Sequence, residues 1–188
     1  QRQLDRMHQS TPRTPCGKAN LCWLPPFPPG NNLLENPDVP VIELTDEAMT
    51  RFWITLPQSF ELVLFALTHM QGGEIFVPKI PSMKIVDLFD ALAPKAKRKI
   101  IGIRPGEKLH ELLLPHDDAR HSVELANYFV TLPENRQIFN NEKRYAKLLQ
   151  RSKAVPAGFA YMSHTNTEWL TKEEFSRMVK AQRIIHLA

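Results

Sequence analysis

Lys99-Ile100-Ile101-Gly102-Ile103-Arg104-Pro105-Gly106-Glu107-Lys108 holds the strongest local pattern in the chain. The apolar run Lys99–Ile103 predicts a short strand that carries Arg104 to its end. Pro105-Gly106 predicts a rigid turn, and Glu107 then opens a helix predicted over Glu107–Leu114. This order suits a phosphorylated ligand. A planar guanidinium offers phosphate oxygens a two-pronged fork, and a carboxylate three residues on can accept from the vicinal hydroxyls of a ribose. Glu107 has a structural explanation as well: an acid in a first helical turn complements the helix dipole whatever the ligand.

Outward from this stretch the punctuation is regular from Asn32 onward. Arg51–Thr55 predicts a strand, and Pro57 opens a helix running to about Met70. Leu62, Phe65 and Ala66 share one face of that helix, and Val63, Leu64 and Leu67 widen it. Gly72-Gly73 ends it, and Glu74–Val77 reads as a strand. A short strand near Met83–Ile85 leads into a helix at Val86–Leu92, closed by Pro94. Tyr128–Leu132 is a further strand. Thr171-Lys172-Glu173-Glu174 is a capping box that opens a helix to about Ile184. Short strands alternating with short helices indicate an α/β fold. No internal repeat at a fixed period is present.

The chain has 188 residues, 16 Pro, 7 Gly and 2 Cys, with 43% hydrophobic residues and a net charge of +4. That apolar content excludes a wholly disordered chain, and the length suits one ordinary domain. No run of about 18 apolar residues predicts a transmembrane helix. The first 15 residues lack the apolar core of a secretory signal. Two cysteines do not make a disulfide scaffold.

Residues 1–31 differ from the rest. They contain Cys16, Cys22 and a polyproline-like string at Pro25-Pro26-Phe27-Pro28-Pro29. Arg2, Arg6, Arg13 and Lys18 against Asp5 give this head a net charge of +3, leaving +1 of the chain's +4 for residues 32–188. The basic balance therefore argues little for a nucleic-acid partner. Overlapping PxxP spacings in the head would suit an SH3-type groove. His8, Cys16 and Cys22 match no closed zinc pattern.

Other candidates have plain explanations. Arg51, beside Phe52 and Trp53, reads as an ion pair or cation–π contact unless it converges with Arg104. Asp117 and Asp118, next to Arg120 and His121, read as a solvated helix start with a local ion pair. His69 and His110 fall on predicted helices as packing or surface residues. Trp169 reads as the anchor that docks the last helix on the core. No G-x-G-x-x-G loop and no G-x-S-x-G elbow occurs. Tyr128, Tyr145 and Tyr161 each lack a Lys four residues on.

Met49–Leu56, Gly72–Ile85, Ile100–Glu111, Asp117–Arg120 and Asn166–Thr171 together closely resemble the UDP-N-acetylglucosamine 4,6-dehydratases. These are extended short-chain dehydrogenase/reductases of the polysaccharide biosynthesis protein group. The resemblance runs from about Asn32 to about Ile184 in the family's order and spacing. Lys79-Ile80-Pro81-Ser82-Met83-Lys84-Ile85 looks like the short, C5-inverting branch.

The resemblance implies the C-terminal, substrate-binding part of an NAD(P)-binding, Rossmann-type enzyme. In the complete enzyme NADP and a Tyr/Lys pair oxidise the sugar at C4, and water is lost across C5–C6. Those residues precede the matched part, so no catalytic, cofactor or metal residue is expected here. The chain by itself is expected to bind no NADP and to be inactive. By resemblance, Arg51 and Arg104 hold the UDP pyrophosphate, Glu107 holds the uridine ribose and Val41 lines the uracil site more loosely. The complete enzyme is implied to be a cytoplasmic homo-oligomer that takes a UDP-sugar, without nucleic acid or membrane partners. The alternative is an inactive UDP-sugar-binding module that docks on a full-length homologue. Residues 1–31 depart from the family and are expected to be a disordered or mistranslated leader. The predicted helix at Pro57–Met70 and strand at Glu74–Val77 are expected to lack their usual sheet.

Overall fold

Val41-Ile42-Glu43-Leu44 alternates exposed and buried side chains, the period of a half-covered strand, and forms β1 (Val41–Leu44). A loop leads to β2 (Thr50–Phe52) and then to α1 (Leu56–His69). A capping box starts α1: the Gln58 N–H donates to Thr55 Oγ1 at 3.3 Å, and Gln58 Oε1 accepts from the Thr55 N–H at 2.9 Å. β3 (Ile75–Pro78), β4 (Ser82–Lys84) and α2 (Ile85–Leu92) follow. Next come β5 (Lys97–Ile100), β6 (Leu112–Leu114), α3 (His116–Ala119), β7 (Ser122–Glu124) and β8 (Tyr128–Thr131). The chain ends through α4 (Asn141–Arg144), α5 (Ala146–Leu149), β9 (Lys153–Ala154), β10 (Tyr161–Met162) and α6 (Lys172–Ile185). This computed structural model describes residues 38, 40–134 and 141–185, with only the backbone of 141–142 and 182–185. The leader expected over 1–31, with its PxxP spacings and its His and Cys residues, lies outside the described residues.

Among the described residues the strands form four small sheets. β1 pairs with β5 in parallel, from Val41 opposite Lys97 to Leu44 opposite Ile100. β2 pairs with β4 antiparallel, placing Arg51 opposite Met83. β6 pairs with β10, and β3-β8-β7-β9 make an antiparallel four-stranded sheet. The mixed α/β class expected from the sequence is the class observed.

Two apolar clusters hold these pieces. One joins Ile42, Leu44, Met49, Trp53, Met83, Leu88 and Phe175, so that β1, the residues flanking β2, β4, α2 and α6 share a core. Trp53 meets Phe175 edge to face at 5.0 Å between ring centroids. The other cluster gathers Val77, Leu114, Ala119, Phe129 and Tyr161 around the four-stranded sheet. α1 contributes no buried residue to either. Its Phe60 and Leu67 are 62% and 63% exposed.

Four expectations are corrected. Residues 107–114 do not form a helix: 112–114 are strand β6, with Leu114 buried opposite Tyr161. Tertiary hydrogen bonds to the backbone of 108–111, described below, compete with helical ones. The strand expected at Lys99–Ile103 is Lys97–Ile100, because Gly102 takes a φ of +84°, which no strand residue adopts. His110 therefore lies on a loop, not a helix. Trp169 is 40% exposed, and its indole N–H donates to the Asn166 carbonyl at 2.7 Å. Trp53 and Phe175 dock the last helix instead. The capping box of α6 forms as expected: the Thr171 N–H donates to Glu174 Oε2 at 2.9 Å, and the Glu174 N–H to Thr171 Oγ1 at 3.1 Å. Arg120 pairs with Asp117 at 3.3 Å on the exposed start of α3, also as expected.

Candidate functional site

The loop after β5 carries Arg104 and Glu107 and lies against the segment that joins β1 to β2. The Ile101 N–H continues the parallel pairing by donating to the Leu44 carbonyl at 2.9 Å. Gly102 and Gly106, at φ +84° and +81°, then reverse the chain. Both turns depend on the left-handed backbone itself, since a Cβ at either glycine would meet nothing within 4 Å.

Glu107 fastens the turn. Its Oε2 accepts from the Arg104 N–H at 3.2 Å, and its Oε1 accepts from Thr45 Oγ1 at 3.3 Å. The Glu107 N–H returns a bond to the Arg104 carbonyl at 3.0 Å. The helix-dipole explanation of Glu107 falls away, because no helix follows it. Each carboxylate oxygen keeps a lone pair for a further donor. The Arg104 side chain is exposed, and among the described residues no carboxylate pairs with it.

Arg51 behaves differently. Its Nη1 donates to the carbonyls of Thr50 at 2.7 Å and Leu109 at 3.1 Å. Its Nη2 donates to the Lys108 carbonyl at 2.8 Å and to Met49 Sδ at 3.1 Å. Its Nε lies 3.4 Å from Glu111 Oε1. A guanidinium has five N–H donors: four are taken by the chain's own acceptors, and Nε faces the Glu111 carboxylate as an ion pair. Arg51 therefore converges on the loop that bears Arg104, through the backbone of 108–109 and the carboxylate of Glu111. Its hydrogen bonds and ion pairs do not run to Arg104 or Glu107 themselves. Val41 stands exposed at the start of β1, four residues before Thr45, which Glu107 grips.

Sequence reasoning missed the polar groups behind Arg51. Thr50 Oγ1 lies 2.8 Å from His110 Nδ1 and 2.7 Å from Ser163 Oγ. The His110 ring stacks on His164 at 4.2 Å. Burial, the neighbouring His164 and the Arg51 charge hold His110 below its ordinary range, against a smaller opposite pull from Asp46. Glu111 and His110 stand in the quoted Ile100–Glu111 stretch and were findable there. Ser163 has no local signal, because its partners lie more than fifty residues away.

Gly72, Gly73, Gly102, Gly106 and Gly158 all take positive φ in turns, and among the described residues none opens a helix directly after a strand. No group of three His, Cys, Asp or Glu among the described residues is placed to hold a metal ion. No helix among them is long and apolar enough to cross a membrane.

The short mixed sheets and the arginine-bearing loop after a parallel strand make this a mixed α/β chain. The X-ray structure of Pen from Bacillus thuringiensis superposes with a TM-score of 0.62 at 30% identity, over 81% of this chain and 44% of that one. A family model described as polysaccharide biosynthesis protein matches residues 33–133, and the chain belongs to that family. It is 42% identical over 139 residues to a UDP-N-acetylglucosamine 4,6-dehydratase (inverting) of Campylobacter jejuni, covering 73% of this chain and 42% of the relative. It is 34% identical over 143 residues to a UDP-glucose 4-epimerase of Rickettsia akari, covering 73% and 40%. The chain thus spans about two fifths of the length of these relatives.

Proposed function

We propose that this chain supplies the UDP-binding part of an inverting UDP-N-acetylglucosamine 4,6-dehydratase acting in surface-polysaccharide or flagellin-sugar synthesis. One observation carries the reading. Arg104 stands exposed and without a carboxylate partner among the described residues, on a turn locked by two left-handed glycines and the Glu107 carboxylate. An uncommitted guanidinium on a fixed turn is a ready partner for phosphate oxygens. Glu107 has lone pairs left for the ribose hydroxyls. Arg51 joins the clamp by exchanging its exposed bond to the Lys108 carbonyl for a phosphate oxygen. Val41 approaches the uracil. The identity to the Campylobacter dehydratase supports UDP-N-acetylglucosamine over other nucleotide sugars. In the complete enzyme, a cytoplasmic homo-oligomer without nucleic-acid or membrane partners, NADP is held outside the residues described here.

A second reading is an inactive UDP-sugar-binding module that docks on a full-length homologue. The exposed apolar face of α1 favours it, because such a face calls for a covering partner. The test common to both readings is thermal unfolding of the full chain with UDP and with uridine. A rise in Tm with UDP and a far smaller one with uridine supports a pyrophosphate clamp. Equal shifts with the two ligands refute it.

A further inference from the structure

Three side chains from distant stretches meet behind Arg51. Thr50 begins β2 and is 2% exposed, Ser163 follows β10 and is 0% exposed, and His110 lies in the loop after β5. Each hydroxyl has one proton to give. The Glu111 N–H donates to Ser163 Oγ at 2.9 Å. One direction then satisfies every group: Ser163 donates to Thr50 Oγ1, and Thr50 donates to His110 Nδ1. That direction needs a neutral imidazole with its proton on Nε2. In the reverse direction Ser163 donates to the Thr50 carbonyl at 3.2 Å, a longer contact, and His110 must carry a proton on Nδ1. The titratable and charged groups facing His110 are Arg51, His164 and Asp46, of which Arg51 and His164 disfavour a further positive charge there and Asp46 favours it.

The relay shares its atoms with the arginine. The Thr50 carbonyl accepts from Arg51 Nη1 and lies 3.2 Å from Ser163 Oγ, the acceptor to which that hydroxyl would turn in the reverse direction. The Leu109 carbonyl accepts from the Thr50 N–H at 3.1 Å and from Arg51 Nη1 at 3.1 Å. Glu111, whose N–H begins the relay, ends it with its carboxylate on Arg51 Nε. Shifting either hydroxyl therefore shifts the acceptors that orient the guanidinium.

We infer that the Ser163–Thr50–His110 relay positions Arg51 and the 108–111 backbone for a nucleoside diphosphate. This rests on the reading of the loop as a UDP site. None of the three needs to touch the ligand, so they are positioning residues.

The test uses the full chain, its Thr50→Val variant and its Thr50→Ser variant. Two readouts need no ligand: the imidazole tautomer of His110 by nitrogen NMR, and hydrogen exchange at Arg51 Nε–H. The expected results are the Nε2–H tautomer in the wild type and exchange about tenfold faster in Thr50→Val, with Thr50→Ser restoring the wild-type rate. UDP affinity should fall about tenfold in Thr50→Val and stay within about twofold in Thr50→Ser. Unchanged UDP affinity in Thr50→Val overturns the positioning role while leaving the UDP site intact. If the wild type binds no UDP, the site reading fails, and exchange and tautomer alone decide whether the relay holds Arg51. Unchanged exchange or an Nδ1–H tautomer then overturns it. If Thr50→Val does not fold, the wild-type tautomer decides in the same way.

Discussion

Replacing Arg51 by Ala tests whether this side chain holds the ligand loop. Its side chain is 17% exposed and makes four hydrogen bonds and one ion pair. Counted singly, hydrogen bonds from a charged donor contribute roughly 1.5–3 kcal/mol each, and the three to carbonyls alone would exceed 4 kcal/mol. The partners reduce that sum. With the guanidinium gone, the Ser163 hydroxyl can turn from Thr50 Oγ1 to the Thr50 carbonyl 3.2 Å away, and the Leu109 carbonyl keeps the Thr50 N–H. The Lys108 bond is exposed, so water replaces it. Met49 Sδ is a weak acceptor that loses little. Glu111, 30% exposed, can be rehydrated. No buried acceptor is orphaned, so the expected loss is about 2–3 kcal/mol. Urea unfolding followed by circular dichroism, with slope and midpoint fitted together, measures it. A loss below about 0.5 kcal/mol would show that the guanidinium does not restrain the loop, since surface substitutions fall in that range. A loss above about 5 kcal/mol would show that an acceptor is orphaned after all, against the donor assignment.

Three further outcomes are expected. Leu64→Glu on the uncovered face of α1 should change stability by less than about 0.5 kcal/mol in urea unfolding and should raise the concentration at which the chain aggregates in light scattering. Gly106→Ala should cost about 1–2 kcal/mol in the same unfolding assay, because its φ is left-handed while its surroundings are open, and Gly106→Asn should cost less. His110 is held below its ordinary range, so the unfolded chain binds more protons than the folded one just below about pH 6.5. Its contribution is complete above that pH and is lost as pH falls through the folded value. Unfolding free energies at a series of pH values should therefore fall more steeply on acidification in the wild type than in His110→Gln.

What the sequence made legible was local. Thr55 with Gln58 and Thr171 with Glu174 cap their helices through side chains three residues apart, so a window of four residues contains the cause. The Pro105-Gly106 turn is likewise set by its own backbone. Failures occurred where a distant group competes. The apolar spacing of 107–114 suits a helix, but Thr50, Arg51 and Ser163 take the backbone groups of 109–111, and Tyr161 takes Leu114 as a strand partner. Trp169 and Trp53 are equally large, and only the tertiary position of Phe175 selects Trp53 for the core. Of the candidate site, Arg104 and Glu107 were readable as a pair because they share one turn. The engagement of Arg51 was not, because its acceptors lie in two segments about sixty residues apart.

The most direct measurement is calorimetric titration of the chain with UDP, beside Arg104→Ala. The expected result is one binding event in the wild type that weakens at least about tenfold in the variant, the worth of a charge-assisted contact to phosphate. Equal UDP affinity in a folded Arg104→Ala chain would contradict the clamp, and the exposed arginine would then be a surface cation with no part in nucleotide binding.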